Sequence, residues 1–514
     1  MRAGPTAAQQ VPTWSNEDMQ FYLHGSMSTE VIPETMLRAF IATYPDMFPS
    51  KDFSHIGAIP DTAFGWPVGF TRANPAHLAS LPSVGINCAA CHTAQISSPG
   101  MPDVRVLGTA AVFDAEAFFG SIVISTFRTE DPGNMQKFLG NYIDESDPEP
   151  DATKRAQRRA QFDAAWQKQS AAITAAMSAD AAGAKGAGPG SLQNLTPADF
   201  RLAAGQITGG GVTDTAIGQL AVNSLKLFHN IRAALHVPDQ PPAKAPPLSG
   251  PGRNDAFGLL SAALFDSPQP FAPVKYGIVW NIENRHFVHW DGNTRSPLAR
   301  NLLAAVGLGA PLIGNHANLR FDLIARHTNL TEKIHAPRYP YPVDLTAAAR
   351  GKPTYESTCL ACHDGVESDK RLYSPDDVKT DPVRAKLFNQ IQADKFNNFL
   401  AKLETPGYTP PAEPGIRSTG KYFSPSLAGV WARSPYLHNG SVRTMDQLLS
   451  PPASRQTTFH RGSTTFDPVH MGYTDEGTYL LDTQTPASNN SGHDYGTHLS
   501  PTQKSDLIEY LKTL

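Results

Sequence analysis

This sequence predicts a mainly α protein of two similar domains with long loops and one large insertion, and three observations predict it. A five-residue pattern occurs twice, as Cys88-Ala89-Ala90-Cys91-His92 and as Cys359-Leu360-Ala361-Cys362-His363, and it uses all 4 cysteines of the 514 residues. Pro (44) and Gly (40) are abundant while charged residues make up 18 %, which suits short helices on long ordered loops better than sheets or coiled coils. The last residues place Leu507, Ile508, Leu511 and Leu514 at helical spacing, so an amphipathic helix is expected at the end of the second domain.

The repeated pattern is the attachment signature of c-type haem. Its two thiols add across the porphyrin vinyl groups, and the adjacent histidine becomes the proximal ligand of the iron. Cys88, Cys91, Cys359 and Cys362 are therefore read as haem-binding, with His92 and His363 as metal ligands. A zinc knuckle would need four converging ligands, and the two cysteine pairs are far apart in the chain. A redox dithiol has no reason to be followed by histidine twice. Two covalent haem c groups are the cofactors expected, giving two cytochrome c-like haem domains. Because such attachment happens outside the cytoplasm, the protein is expected to be periplasmic or secreted. Residues 1–10 lack the apolar core of a signal peptide, so an export signal is expected to have been removed. A net charge of −4 makes no case for nucleic acid or an anionic membrane as partner. No apolar run approaches the ~18 residues of a membrane span.

Composition suggests the boundaries. Residues 1–275 form the first haem domain, with the insertion at about 105–250. Residues 276–344 are the distal-pocket and inter-haem segment, and 345–514 the second haem domain. A helical entry segment is expected within 17–50, on Met36, Leu37, Phe40 and Ile41. Over 151–191 the chain turns to Ala, Gln, Lys and Arg, with almost no large apolar residue beyond Phe162 and Trp166. That reads as an exposed helix running into a flexible Gly/Ala stretch at 182–190. A second linker spans 238–251, where 6 prolines exclude a helix.

Whether each iron has a second protein ligand separates a carrier from an enzyme. An electron-transfer haem takes His or Met on its other face, whereas a catalytic haem keeps that face open. With 17 His and 10 Met in the chain, residue type alone does not select those ligands.

Several motifs, in order, carry a family resemblance. Phe423, Leu427, Gly429, Trp431, Arg433, Pro435-Tyr436, His438-Asn439-Gly440-Ser441, Thr444 and Leu448-Leu449 resemble the second-haem region of bacterial di-haem cytochrome c peroxidases and their relatives. Gly250, Gly252-Arg253-Asn254-Asp255-Ala256-Phe257 and His289-Trp290-Asp291-Gly292-Asn293 are similar to further stretches of that superfamily. The closer resemblance is to the di-haem rubber oxygenases and the related fatty-acid dioxygenases. It is carried by His24-Gly25-Ser26, by Arg455, Phe459-His460-Arg461-Gly462-Ser463, Phe466-Asp467-Pro468 and Gly472-Tyr473, and by Ser491-Gly492-His493-Asp494-Tyr495-Gly496. Two departures from the peroxidases agree with that choice. Where those enzymes carry a distal glutamate, this chain has Val306-Gly307-Leu308-Gly309-Ala310, without an acid to move a peroxide proton. Where they carry the Met or Tyr ligand of the second haem, it has Ser450-Pro451-Pro452.

The resemblance implies a second haem held by His363 and His493, with His498 as the alternative, closed to substrate and serving as an electron reservoir. It implies that the first haem, on His92, is the reaction centre with an apolar distal side. Phe287 is the best match for a ring over dioxygen, and His286 and His289 compete with it as distal ligand or proton donor. Trp290 matches the aromatic between the haems. Arg253 and Arg433 suit bidentate pairing with haem propionates, and His438 suits a loop or propionate hydrogen bond. Ordinary core packing or loop bracing is the alternative for each. The peroxidases also hold a Ca2+ between their haems, and the carbonyls of Arg433 and Pro435 fall where two of its ligands would.

The function implied is a dioxygenase that cleaves or dioxygenates a C=C bond of an apolar unsaturated substrate, an isoprenoid or a fatty acid. Dioxygen and that substrate are the partners, together with a small electron-donor protein. A di-haem peroxidase or peroxide-dependent oxidase is the alternative, and an electron-transfer cytochrome c the second.

Overall fold

A computed structural model describes residues 5–184, 200, 214–238, 247–311, 319–365, 370–403, 407–409 and 415–514. The chain is mainly α, with small antiparallel strand pairs between the helices. Most of the 182–190 stretch and of the 238–251 linker lies outside the described residues.

The first haem motif is set by strands. Helix α1 (Asn16–His24) starts at a Ser15 capping box. Strands β1 (Glu30–Pro33), β2 (Phe70–Ala73) and β3 (Ser83–Ile86) form an antiparallel sheet in the order β1-β3-β2. β3 feeds into the helical turn Cys88–His92, which runs on into β4 (Thr93–Ser98), paired with β5 (Met101–Leu107). Asn87 caps that turn on Ala89 N and donates to the carbonyls of Tyr22 and Gly25 at 3.1 and 2.9 Å. Gly69 has a φ of +84°, and a Cβ there would meet Ala90 N at 2.0 Å, so only glycine lets the sheet approach the motif this closely.

Helices α2 (Glu34–Thr43), α3 (Ala115–Thr129), α4 (Pro132–Ser146), α5 (Ala152–Ala184) and α6 (Asp214–Ala234) share one core with β1 to β3. Its centre is aromatic: Phe40 lies 4.9 Å from Phe138 and 5.6 Å from Phe228, and Phe70 5.0 Å from Phe118. The helices of the 105–250 stretch thus complete the core that the 31–86 segment begins. α5 is exposed along most of its surface, as expected, and adds one buried stripe. Its few large apolar residues, Phe162, Trp166, Ile173 and Met177, fall on one stripe and are buried in that core. The spacing suffices for docking although the composition is polar.

A smaller core joins α7 (Ala256–Phe265), α8 (Pro297–Gly307), α9 (Phe321–Glu332) and α11 (Gln390–Ala401), the last following α10 (Leu345–Thr358) in the chain. α10 runs directly into Cys359 and crosses the closing helix α12 (Pro501–Leu511). At the crossing a Cβ on Gly351 would meet Asp506 O at 2.0 Å, and beside it Arg350 forks onto the Asp506 carboxylate at 2.7 and 2.9 Å. Among the described residues no helix is long and apolar enough to cross a membrane.

Candidate haem sites

The first site opens onto a large cavity. Gly108 N and Tyr22 Oη donate to the His92 carbonyl at 2.7 and 3.2 Å, and Ala111 N to that of Cys91 at 2.9 Å. Of the side chains, Cys88 Sγ donates to Met27 Sδ at 3.4 Å. Burial pushes the Cys88 thiol up to about 11 and the Cys91 thiol up to about 12. Burial, with the Arg300 guanidinium nearby, pushes His92 down to about 3, and its Nδ1 has no hydrogen-bond partner. The imidazole is therefore neutral, the form that binds a metal. All three residues face a cavity of about 1370 Å3 whose far walls are α3 and α7, through Phe119, Ile124, Phe127 and Leu260 among others. Paired neutral thiols, a bare neutral imidazole and this space fit a covalently held haem.

Of the residues expected over this site, His289 and Trp290 line the cavity, whereas His286 and Phe287 do not. The Phe287 ring packs 6.1 Å from Phe423 and 4.9 Å beneath the Arg417 guanidinium. His289 Nδ1 sits 2.6 Å from Asn293 Oδ1, whose amide nitrogen points to Asp291. Nδ1 is then the donor and Nε2 the bare nitrogen, while burial and Arg300 push the ring down to about 3. Sequence reasoning passed over Arg300. It stands on α8, lines the cavity, and donates from Nε and Nη2 to Asn301 Oδ1 at 3.0 and 2.7 Å. The signal was there, since Arg300 is the single charge in helix Pro297–Gly307, which is otherwise apolar but for Asn301. Two carboxyls also reach the wall, but the backbone occupies both. Glu116 accepts from Ser249 N and Oγ at 2.7 and 2.8 Å, and Asp255 from Gly258 N and Ala272 N at 3.2 and 3.0 Å.

The second site is arranged differently. His363 Nδ1 donates to the Pro425 carbonyl at 2.8 Å, which fixes the ring and leaves Nε2 free. His493 lies opposite, its ring centre 6.3 Å from that of His363, its Nδ1 without a partner. Two metal–imidazole bonds of about 2 Å, with the distance from each nitrogen to its own ring centre, match that spacing. Burial pushes both rings down to about 4. The loop presenting His493 is clamped by the buried Arg455, which donates to the carbonyls of Leu448, Asn490, Gly492 and His493 at 2.6–3.2 Å. His498 is exposed.

Trp290 links the first cavity to the segment that orients His363. Its Nε1 donates to the Lys275 carbonyl at 2.9 Å, and its own carbonyl accepts from Phe423 N at 2.9 Å, two residues before the Pro425 that orients His363. Arg433 is buried 5.4 Å from the Trp280 ring centre, and its charge acts on His363. Buried Arg253 donates to Ser488 Oγ at 2.9 Å. His438 stacks on Tyr422 at 4.2 Å and bonds its hydroxyl, bracing a loop. The carbonyls of Arg433 and Pro435 do converge, and what they receive is the side-chain nitrogen of Lys275. Among the described residues no group of three or more His, Cys, Asp or Glu side chains could hold a metal ion.

Residues 420–460, which contain Arg433, His438 and Arg455, match the family model described as RoxA-like, cytochrome c-like. Two curated relatives come from Sinorhizobium fredii (strain NBRC 101917 / NGR234). The uncharacterized protein y4iJ is 24 % identical over 608 aligned positions, covering 98 % of this chain and 91 % of the relative. The uncharacterized protein y4iM is 27 % identical over 324, covering 53 % of this chain and 72 % of the relative.

Proposed function

We propose that this chain is an extracytoplasmic di-haem c oxygenase, with the first haem on Cys88, Cys91 and His92 and the second on Cys359, Cys362, His363 and His493. The observation that carries the reading is the contrast between the sites. One opens onto about 1370 Å3 of mostly apolar space, and the other is closed by two histidines 6.3 Å apart. The RoxA-like match supports it. The substrate is an apolar unsaturated molecule, an isoprenoid or a fatty acid, attacked by dioxygen at a C=C bond.

Haem c, when bound, supplies redox-active iron to both sites. The chain's own residues do the rest. α3 and α7 exclude water and align an extended apolar chain, which matters because a misplacement of about 1 Å costs roughly a hundredfold in rate. His289, neutral and with Nε2 bare towards the cavity, accepts a hydrogen bond but brings no proton of its own. Arg300, tied to Asn301, places a positive charge where negative charge develops on oxygen. Trp290 joins the cavity wall to the segment that orients His363, and the closed second site stores an electron. Phe287 belongs to the packing behind this wall.

A peroxide-reducing enzyme is the second reading, favoured by one observation: burial holds the Glu116 carboxyl on the cavity wall above the ordinary carboxylate range, as a proton carrier would need. Oxygen uptake with an unsaturated fatty acid or a polyisoprene, set against hydrogen peroxide reduction, separates the two. Uptake matched by oxygenated product supports the oxygenase; fast peroxide reduction without uptake overturns it.

A further inference from the structure

Lys275 is among the most thoroughly engaged residues of the chain, yet neither haem reading uses it. Its backbone pairs with Arg253 across a short antiparallel ladder, its N–H donates to the His438 carbonyl at 2.9 Å, and its carbonyl accepts from Trp290 Nε1 at 2.9 Å. Its side chain is buried and donates to the carbonyls of Arg433 and of Pro435, the latter at 2.7 Å. The same nitrogen lies 5.7 Å from the ring centre of Trp290 and 5.9 Å from that of Tyr436. Lys275 thus lines the first cavity and bonds the backbone of Arg433, the residue whose charge reaches His363 at the second site.

The charge is the unusual part. The charged groups acting on Lys275 are Arg433 and Arg461, both cations, and among the described residues it forms no ion pair with a carboxylate. Burial and those guanidiniums push the amine well below its ordinary range, and the carbonyls of Arg433 and Pro435 are the two groups placed to hold its proton.

We propose that Lys275 is a positioning residue that holds Trp290 and a fixed positive charge between the two haem sites, and so raises the reduction potential of both. The inference rests on the two-haem reading but not on the oxygenase chemistry. Reduction adds one electron to each ferric iron, supplied in the test by dithionite, and moves no proton at Lys275. A fixed positive charge therefore favours the reduced state, and its removal favours the oxidised one.

The experiment uses the full chain with haem attached, as parent, Lys275→Met and Lys275→Gln. Methionine removes both the charge and the hydrogen bonds, whereas glutamine removes the charge and keeps a donor. Two haems per chain are first counted by pyridine haemochrome; a parent carrying fewer than two sinks the haem reading itself, which is a separate failure. At the potential where the parent is half reduced, both variants are expected to sit about tenfold towards ferric, and only the Met variant to lose several degrees in Tm. Unchanged potentials in both variants, or a shift in Met alone, overturn the proposal. If neither variant retains its haems, the nitrogen chemical shift of 15N-labelled Lys275 in the reduced parent decides: an ammonium signal supports the proposal, and a neutral amine overturns it.

Discussion

Set side by side, the two haem motifs share five residues of pattern and little else. Around Cys88–His92 the neighbours are strands, and the space in front of His92 runs out to α3 and α7. Around Leu360–His363 the neighbours are a helix and two long loops, and the space in front of His363 holds His493. The same Cys-x-x-Cys-His turn thus sits in one open and one closed pocket. The difference comes from segments far away in the chain: residues 105–250 build much of the first wall, while Arg455 and the 490–493 loop build the second closure. What each motif faces is set by the distant segments that the fold brings to it.

The strongest way to break this contrast is to open the closed site. His493→Ala should turn the second haem from low-spin to ligand-exchangeable, and carbon monoxide bound by the reduced protein should rise from one to two per chain. A parent that already binds two, or a variant that still binds one, would remove His493 from the iron.

Acid should act next. His327 is buried in α9, with Nε2 3.0 Å from the Gly25 carbonyl beside the first motif, and burial pushes it down to about 4. Its folded value lies below the ordinary 6.5, so the unfolded chain binds the extra proton first. Stability is complete above about pH 6.5 and is lost as pH falls from there towards 4, by roughly 3 kcal/mol for this group. His327→Gln should flatten that stretch of the Tm–pH curve; an unchanged curve would show that other groups carry it.

Filling the open site should have a smaller and more selective effect. Gly120 lines the cavity, and a Cβ there meets nothing within 4 Å. Gly120→Leu should therefore fold, gain up to about 1 kcal/mol from helix propensity, and lower turnover of an apolar substrate about tenfold. The second haem's spectrum should stay as it is. Undiminished turnover would place the substrate elsewhere.

The smallest effect is expected at Phe287. Because its ring packs behind the wall and not on it, Phe287→Leu should lose about 1 kcal/mol in stability and keep the parent's product pattern. A changed pattern would return Phe287 to the site.

Much of the site was legible in advance because its chemistry is local. Cys-x-x-Cys-His brings thiols and imidazole together within one helical turn, whatever the rest of the chain does. His493 was legible for another reason, since its Gly-His setting and the missing Met or Tyr after Leu449 both pointed to it, and the structure sets it opposite His363. Phe287 and His289 were not separable, because residues two apart in an irregular loop have no fixed relative direction, whereas in a strand they would share a face. The exposure expected for α5 holds over most of its surface, but composition averages over faces, so it did not show the one stripe that docks.

What the sequence determined by itself is the short-range part: the two Cys-x-x-Cys-His turns, the mainly α character and the closing helix. Each depends on residues within a few turns of one another, where spacing dictates geometry. The tertiary structure alone decided which wall is apolar and wide, that Arg300 and His289 face it, and that Lys275 meets the carbonyls of Arg433 and Pro435 beside Trp290. Those contacts join residues tens to hundreds of positions apart. Their directions are set by packing, which no local pattern encodes.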